Sequence, residues 1–202
     1  MARRTFFSFH YQEDVWRCWN VRNCLVVSKD QEAQGFFDGS VFEASKKEGD
    51  EALKTFLRNG LNNTSVTCVL AGHYTAGRRW VRYEIVRSVL KGNGLLTVDI
   101  HGVRNNDKQL GVKGTNPLDQ VGLYLANGKI LFAEVKGGKW VRYEDYTLAI
   151  PAADLWFDAP TSDTVVPLSK HCMRYDFAAR QGQHRWLDRN GGRPGWPLEM
   201  HS

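Results

Sequence analysis

Trp80-Val81-Arg82-Tyr83-Glu84-Ile85-Val86-Arg87-Ser88-Val89-Leu90 is the stretch on which the fold of this chain turns. At about 100° per residue, Val81, Ile85, Val86, Val89 and Leu90 fall on one broad arc, as in a helix that buries one face. Trp80, Tyr83, Glu84 and Arg87 fall on the other arc. Residues four apart lie above one another on a helix, so Trp80 stands one turn before the Glu84 carboxylate. Such a pair can form a pocket wall, or it can be a surface aromatic beside a solvated acid. Spacing alone favours the second.

The flanks give the helix a context. Before it, Ser65-Val66-Thr67-Cys68-Val69-Leu70-Ala71-Gly72 is a continuous apolar run of strand length. After it, Leu95-Leu96-Thr97-Val98-Asp99-Ile100 is another. Nearer the N-terminus, Thr5-Phe6-Phe7-Ser8-Phe9 reads as a buried strand, followed by a helix from Val15 to Arg22 capped by Glu13 or Asp14. Leu25-Val26-Val27 is either a second short strand or the end of that packing unit. Gly35-Phe36-Phe37-Asp38-Gly39 is strand-like and closes on an acid. Residues 46–62 predict a helix with Ala52, Leu53, Phe56 and Leu57 on one face and Gly60 near its end. Strands that are apolar throughout and alternate with helices predict an α/β fold, a parallel sheet covered on both faces.

Beyond Ile100 the pattern changes. Residues 101–117 are polar and read as a long surface loop. Gly122-Leu123-Tyr124-Leu125 and Ile130-Leu131-Phe132-Ala133-Glu134-Val135 flank Asn127-Gly128, a hairpin signature, and Lys136-Gly137-Gly138-Lys139 turns the chain into Trp140-Val141-Arg142-Tyr143. These strands predict a β-meander at one edge. Residues 1–150 therefore read as an α/β domain with its core ending near residue 100. Residues 151–202 read as a C-terminal, β-rich extension packing on that domain, with one short helix near 175–180 and loose order around 190–195. Trp-Val-Arg-Tyr-Glu occurs twice, at Trp80 to Glu84 and at Trp140 to Glu144. The second copy follows a Gly-Gly turn and reads as a strand, so Glu144 is a decoy.

Composition narrows the function classes. The chain carries 27 Lys+Arg against 22 Asp+Glu, a formal net charge of +5. That surplus is modest and dispersed, so nucleic-acid binding is not indicated. Cys18, Cys24, Cys68 and Cys172 form no C-x-x-C pair and no zinc-like spacing, which suggests free thiols in a reducing compartment and no metal site. The apolar run after Met1-Ala2-Arg3-Arg4 is too short for a signal peptide, and no stretch approaches membrane-spanning length. These features predict a soluble, cytoplasmic protein with no membrane association.

In an open parallel sheet, ligands bind beyond the carboxyl ends of the strands. Three segments gather there: Ser8-Phe9-His10-Tyr11, the stretch from Asp38 to Glu43, and His73 to Trp80, with Glu84 facing the same crevice. They offer Ser8, His10, Asp38, Glu43 and Glu84 as polar groups, and Phe9, Tyr11 and Trp80 as ring walls. The sequence holds no G-x-G-x-x-G, no G-x-x-x-x-G-K-[ST] and no G-x-S-x-G, which excludes the usual dinucleotide, P-loop and nucleophile-elbow readings.

Phe7-Ser8-Phe9-His10-Tyr11, the strand end Phe37-Asp38, the strand Cys68-Val69-Leu70 and Trp80-x-x-x-Glu84 together resemble a TIR-type domain. The resemblance is to the bacterial TIR-like branch found in Thoeris anti-phage defence. It covers the first half of the chain, to about Ile100. It implies a flavodoxin-like sheet and cleavage of NAD, as substrate and not as a retained cofactor, at its nicotinamide–ribose bond. It also implies that Glu84 is the catalytic residue and that Trp80 stacks on nicotinamide. Ser8, Phe9, His10 and Tyr11 match the loop after the first strand, Asp38 the acid closing the second, and Glu43 a further acid. Two departures stand out: position 10 is His where many members have Arg, and the segment 39–49 lacks the usual pattern.

The implied chemistry suits these residue types. Breaking the N-glycosidic bond passes through an oxocarbenium-like ribose that a carboxylate stabilises. The bonded nicotinamide is cationic and suits an indole face. The product expected is a cyclic ADP-ribose-type messenger acting on a separate effector protein, and a homo-oligomer that completes the site fits the same picture. The alternative is a non-enzymatic TIR-like module that signals by self-association. A nucleotide- or nucleic-acid-binding regulator using the basic surplus is a third, weaker reading.

Overall fold

The computed structural model describes residues 4–25 and 47–179. The predicted strand at Gly35 to Gly39, the acids Asp38 and Glu43, the alternatives for Val26-Val27 and the segment 190–195 lie outside the described residues.

The parallel sheet expected from the sequence is present. It contains β1 (Thr5–Ser8), β2 (Val66–Ala71), β3 (Gly94–Asp99) and β8 (Met173–Asp176), in the order β1-β2-β3-β8 and parallel throughout. Between them run α1 (Tyr11–Leu25), α2 (Asp50–Gly60) and α3 (Arg79–Lys91). Alternation along β2 assigns the two faces. Cys68 and Leu70 share a core with Phe7, Cys18 and Val21, which places α1 on one face. Val69 shares a core with Val81, Ile85, Val86 and Val89, which places α3 on the other.

A second sheet, antiparallel, has the order β6-β5-β4-β7. It contains β4 (Val121–Ala126), β5 (Lys129–Lys136), β6 (Lys139–Arg142) and the short β7 (Val166–Pro167). Asn127 and Gly128 form the expected hairpin turn, both at positive φ (50° and 71°), a backbone that Asn and Gly tolerate best. The meander does more than border the first sheet. Leu118, Val121, Leu123, Ile130, Phe132, Tyr143 and Leu168 share one core with the aliphatic residues of α3. The helix is therefore buried between two sheets. This overturns the two-sided reading of α3: Tyr83 and Glu84, on its supposed outer arc, are also buried.

Two other expectations change. The first helix begins at Tyr11, a turn earlier than predicted, and its first bond runs from Asp14 N–H to His10 C=O at 3.0 Å. Asp14 is thus a buried residue inside the helix and not its cap. The segment around Tyr175 is a strand. Beside β3 it buries backbone groups that an edge strand would expose, and Arg174 clasps Asp99 with Nε–Oδ2 at 3.0 Å and Nη2–Oδ1 at 2.8 Å. Residues 177–179 then form one helical turn. Among the described residues, no helix is long and apolar enough to cross a membrane.

Candidate active site

Ser8 is the last residue of β1 and points to the α3 side of the sheet, one position out of phase with Phe7. Its hydroxyl donates to Oε2 of Glu84 in a short, fully buried hydrogen bond. Glu84 lies midway along α3 with 6% of its surface exposed. Burial pushes its carboxyl from the usual 4.5 up to about 8, and the Ser8 hydroxyl only partly opposes this. At neutral pH the free group is therefore largely protonated. A positive charge arriving nearby would draw the proton off.

The backbone beneath Glu84 is fixed by a buried polar chain that the sequence did not reveal. Ser88 Oγ donates to the Glu84 carbonyl (2.7 Å) and lies 2.7 Å from Thr67 Oγ1 on β2. Asn93 Nδ2, after the helix, donates to Thr67 Oγ1 (3.2 Å) and to Thr64 Oγ1 (2.9 Å). A serine on the aliphatic arc of a helix was the one available signal, because a hydroxyl buried there must find a partner. Gly92 ends the helix in the left-handed conformation (φ 77°).

Trp80 sits one turn before Glu84 and is partly buried against the cluster formed by Tyr83 with Leu53 and Leu57 of α2. Tyr83 meets its ring edge-on (centroids 5.9 Å apart), and the Arg79 guanidinium lies 4.6 Å from the ring centre. Arg79 is itself held by Asp145 (2.9 and 2.7 Å) and Asp50 (2.6 Å). One indole face thus already carries a cation, and a nicotinamide ring would need the other. Arg79 was not among the residues singled out from the sequence, although a cation beside a tryptophan at a helix start is a visible cue.

The other expected residues divide. Phe9 and Tyr11 are in ring contact at 6.2 Å, with Phe9 packed on the α1-side core, and His10 between them is buried. Ser8 and Glu84 are brought into direct contact; Phe9, His10 and Tyr11 continue from Ser8 as a partly buried lip. The second pentapeptide lies in a strand and its loop, as expected. Trp140 to Arg142 lie in an exposed edge strand, and the Glu144 carboxylate, 79% exposed, meets Lys136 at 2.9 Å.

Two comparisons with known proteins bear on this arrangement. Residues 6–105 match the family described as Thoeris protein ThsB, TIR-like domain. The chain is also 48% identical over 148 residues to the protein of Bacillus cereus (strain MSX-D12) named "Putative cyclic ADP-D-ribose synthase ThsB1"; that alignment covers 72% of this chain and 77% of the relative. The chain belongs to the ThsB family. The family match takes in β1 from Phe6 onward, β2, β3 and both partners of the Ser8–Glu84 bond. The relatedness to the B. cereus protein reaches further along the chain than the family domain, since 148 aligned residues exceed the stretch 6–105.

Proposed function

We propose that this ThsB-family chain cleaves NAD at the nicotinamide–ribose bond and closes the ADP-ribose on itself. The cyclic ADP-ribose-type product would carry a Thoeris anti-phage signal to an effector protein. The observation that carries this reading is the buried Glu84 carboxyl held by the Ser8 hydroxyl, one turn after Trp80. The name of the B. cereus relative supports the class of product.

The residues suggest a sequence of events. The cationic nicotinamide ring settles by Trp80, and its charge lowers the pKa of Glu84, which ionises. The C1′–N bond breaks, its electron pair leaves with nicotinamide, and the ring becomes neutral. The Glu84 carboxylate faces the oxocarbenium ribose that remains, and the low dielectric around it strengthens that attraction. A hydroxyl of the same ADP-ribose then adds to C1′ and releases its proton, which Glu84 is placed to accept. Ser8 holds the carboxylate in position throughout and keeps one oxygen hydrogen-bonded. Such an enzyme would work where NAD is abundant, in the cytoplasm.

The test is incubation of the purified chain with NAD, alone and with extract of phage-infected cells, followed by chromatography of the products. Nicotinamide and a cyclic ADP-ribose isomer are expected, and Glu84→Gln should abolish both. If wild type leaves NAD intact under every condition, signalling by self-association becomes the better account. Turnover by Glu84→Gln at the wild-type rate would instead remove Glu84 from the mechanism.

A further inference from the structure

The second Trp-Val-Arg-Tyr-Glu copy is followed directly by Asp145, and tyrosines on either side pin that residue to the second sheet. Tyr143 is buried, donates its N–H to the Phe132 carbonyl of β5 (3.0 Å) and meets the Phe132 ring edge-on at 6.4 Å. Tyr146 meets the same ring at 6.1 Å. Two anchors on one phenylalanine leave Asp145 little freedom, and its side chain is only 11% exposed. The Arg79 hydrogen bonds outweigh burial and, with Lys54 at 3.2 Å, hold the Asp145 carboxyl below the usual carboxylate range. It therefore carries its charge at neutral pH.

Arg79 converts that fixed carboxylate into a fixed ring plane. Its Nε and Nη2 donate to Asp145 as a two-point fork (2.9 and 2.7 Å), and its Nη1 donates to Asp50, the first residue of α2, at 2.6 Å. All three guanidinium nitrogens are engaged, so carboxylates from two separate elements set the plane of the group. Its central carbon lies 4.6 Å from the centre of the Trp80 ring. Tyr83 bounds the same ring edge-on at 5.9 Å, and Arg58 Nη1 donates to the Tyr83 hydroxyl at 3.4 Å. Trp80 is only partly buried, so some of the indole still faces solvent. Ion pairs of a half-exposed arginine add little to stability. A guanidinium committed at every nitrogen and stacked on a ring instead fixes orientation.

We propose that Arg79 and Asp145 are positioning residues for the NAD site, holding the Trp80 indole in the plane that receives the nicotinamide ring. This rests on the NAD reading above. It makes the loop after β6, which lies beyond the family-matched residues 6–105, a working part of the site. Neither residue touches NAD in this account; both act through the indole. A ring already held in place gives up no rotamer freedom when substrate arrives, which lowers the cost of binding. Nicotinamide is cationic before cleavage and neutral after it, so the indole face holds it most strongly in the ground state. The effect of the pair therefore falls on KM and not on kcat.

The test is NAD cleavage kinetics on the purified full chain, with NAD binding followed in parallel by saturation-transfer NMR and folding by circular dichroism. Arg79→Gln and Asp145→Asn should each raise KM by about five- to tenfold, with kcat within about twofold of wild type. Arg79→Lys should not restore KM, because an ammonium cannot span both carboxylates and stack on the ring. In a Trp80→Ala background, Arg79→Gln should raise KM by less than about twofold further, since the indole through which it acts is gone. If Arg79→Gln fails to fold, the near-isosteric Asp145→Asn decides. If wild type binds NAD without cleaving it, the dissociation constants carry the same comparison. Wild-type KM in Asp145→Asn or in Trp80→Ala, or an undiminished effect of Arg79→Gln in the Trp80→Ala background, would overturn the proposal and leave the NAD reading standing. A wild type that neither binds nor cleaves NAD would remove both.

Discussion

The Ser8 hydroxyl, at the end of the first strand, donates to the Glu84 carboxylate in the middle of a helix 76 residues further on. Both groups are buried. Among the described residues the hydroxyl is the one group that lowers the Glu84 pKa, against the larger effect of burial. Ser8→Ala should therefore raise that pKa above about 8 and move the alkaline-rising limb of kcat/KM to higher pH. At pH 7.5 we expect NAD consumption to fall by roughly tenfold, an effect of about 1–2 kcal/mol for a lost hydrogen bond to a charged group. An unshifted pH profile would mean that the bond has no part in setting the ionisation.

Glu84 also leaves a mark on stability. Its folded pKa, about 8, lies above its ordinary value of 4.5, so the folded state holds the proton more tightly than the unfolded state. That contribution is complete below pH 4.5 and is lost as pH rises to 8, at up to about 1.4 kcal/mol per pH unit. Glu84→Gln stays neutral. It should match wild type in melting temperature near pH 5 and exceed it by several degrees near pH 8.5, measured by circular dichroism. A constant difference across that range would show that Glu84 ionises normally.

The duplicated pentapeptide supplies an internal control. Glu144 is mostly exposed and pairs with a half-exposed Lys136, a type of contact that contributes little. Glu144→Gln should change stability by less than about 0.5 kcal/mol and leave NAD turnover intact. Loss of turnover in this variant, with the fold preserved, would contradict the assignment of the two copies.

Arg174 and Asp99 tie β8 to β3. Asp99 is buried at the end of β3 and is held by Arg174 and, at 3.3 Å, by Lys113. Arg174→Met leaves that carboxylate with one partner, a half-exposed lysine, and should cost roughly 2–3 kcal/mol in urea unfolding. Asp99→Asn with Arg174→Met should recover part of the loss, because the stranded charge is then gone. If the single change is silent, β8 is held by its backbone pairing alone.

Removing the Arg79 guanidinium should affect Trp80. Arg79 spans Asp50, Asp145 and the indole face. Arg79→Gln removes the cation from that face and should red-shift or quench part of the tryptophan fluorescence, at a stability cost of about 1 kcal/mol. Unchanged emission would place the guanidinium off the ring in solution.

Much of the first sheet could be read directly, because its strands are short apolar runs between helical periods and need no partner to be recognised. The same holds for the Asn127–Gly128 turn, where local backbone sterics decide. The start of α1 and the strand at Met173–Asp176 were misread. A buried acid resembles a cap in sequence, and a strand with exposed Met173 and Arg174 carries no apolar run. Glu84 and Trp80 were placed on the right helix at the right spacing, and the sequence alone could not show that this helix is buried on both sides. That burial comes from a second sheet more than thirty residues downstream. It turns an ordinary surface-like glutamate into a carboxyl with a pKa near 8. Periodicity is a local property and the sequence determined it; desolvation is the sum of everything packed around a group, and only the tertiary structure decided it.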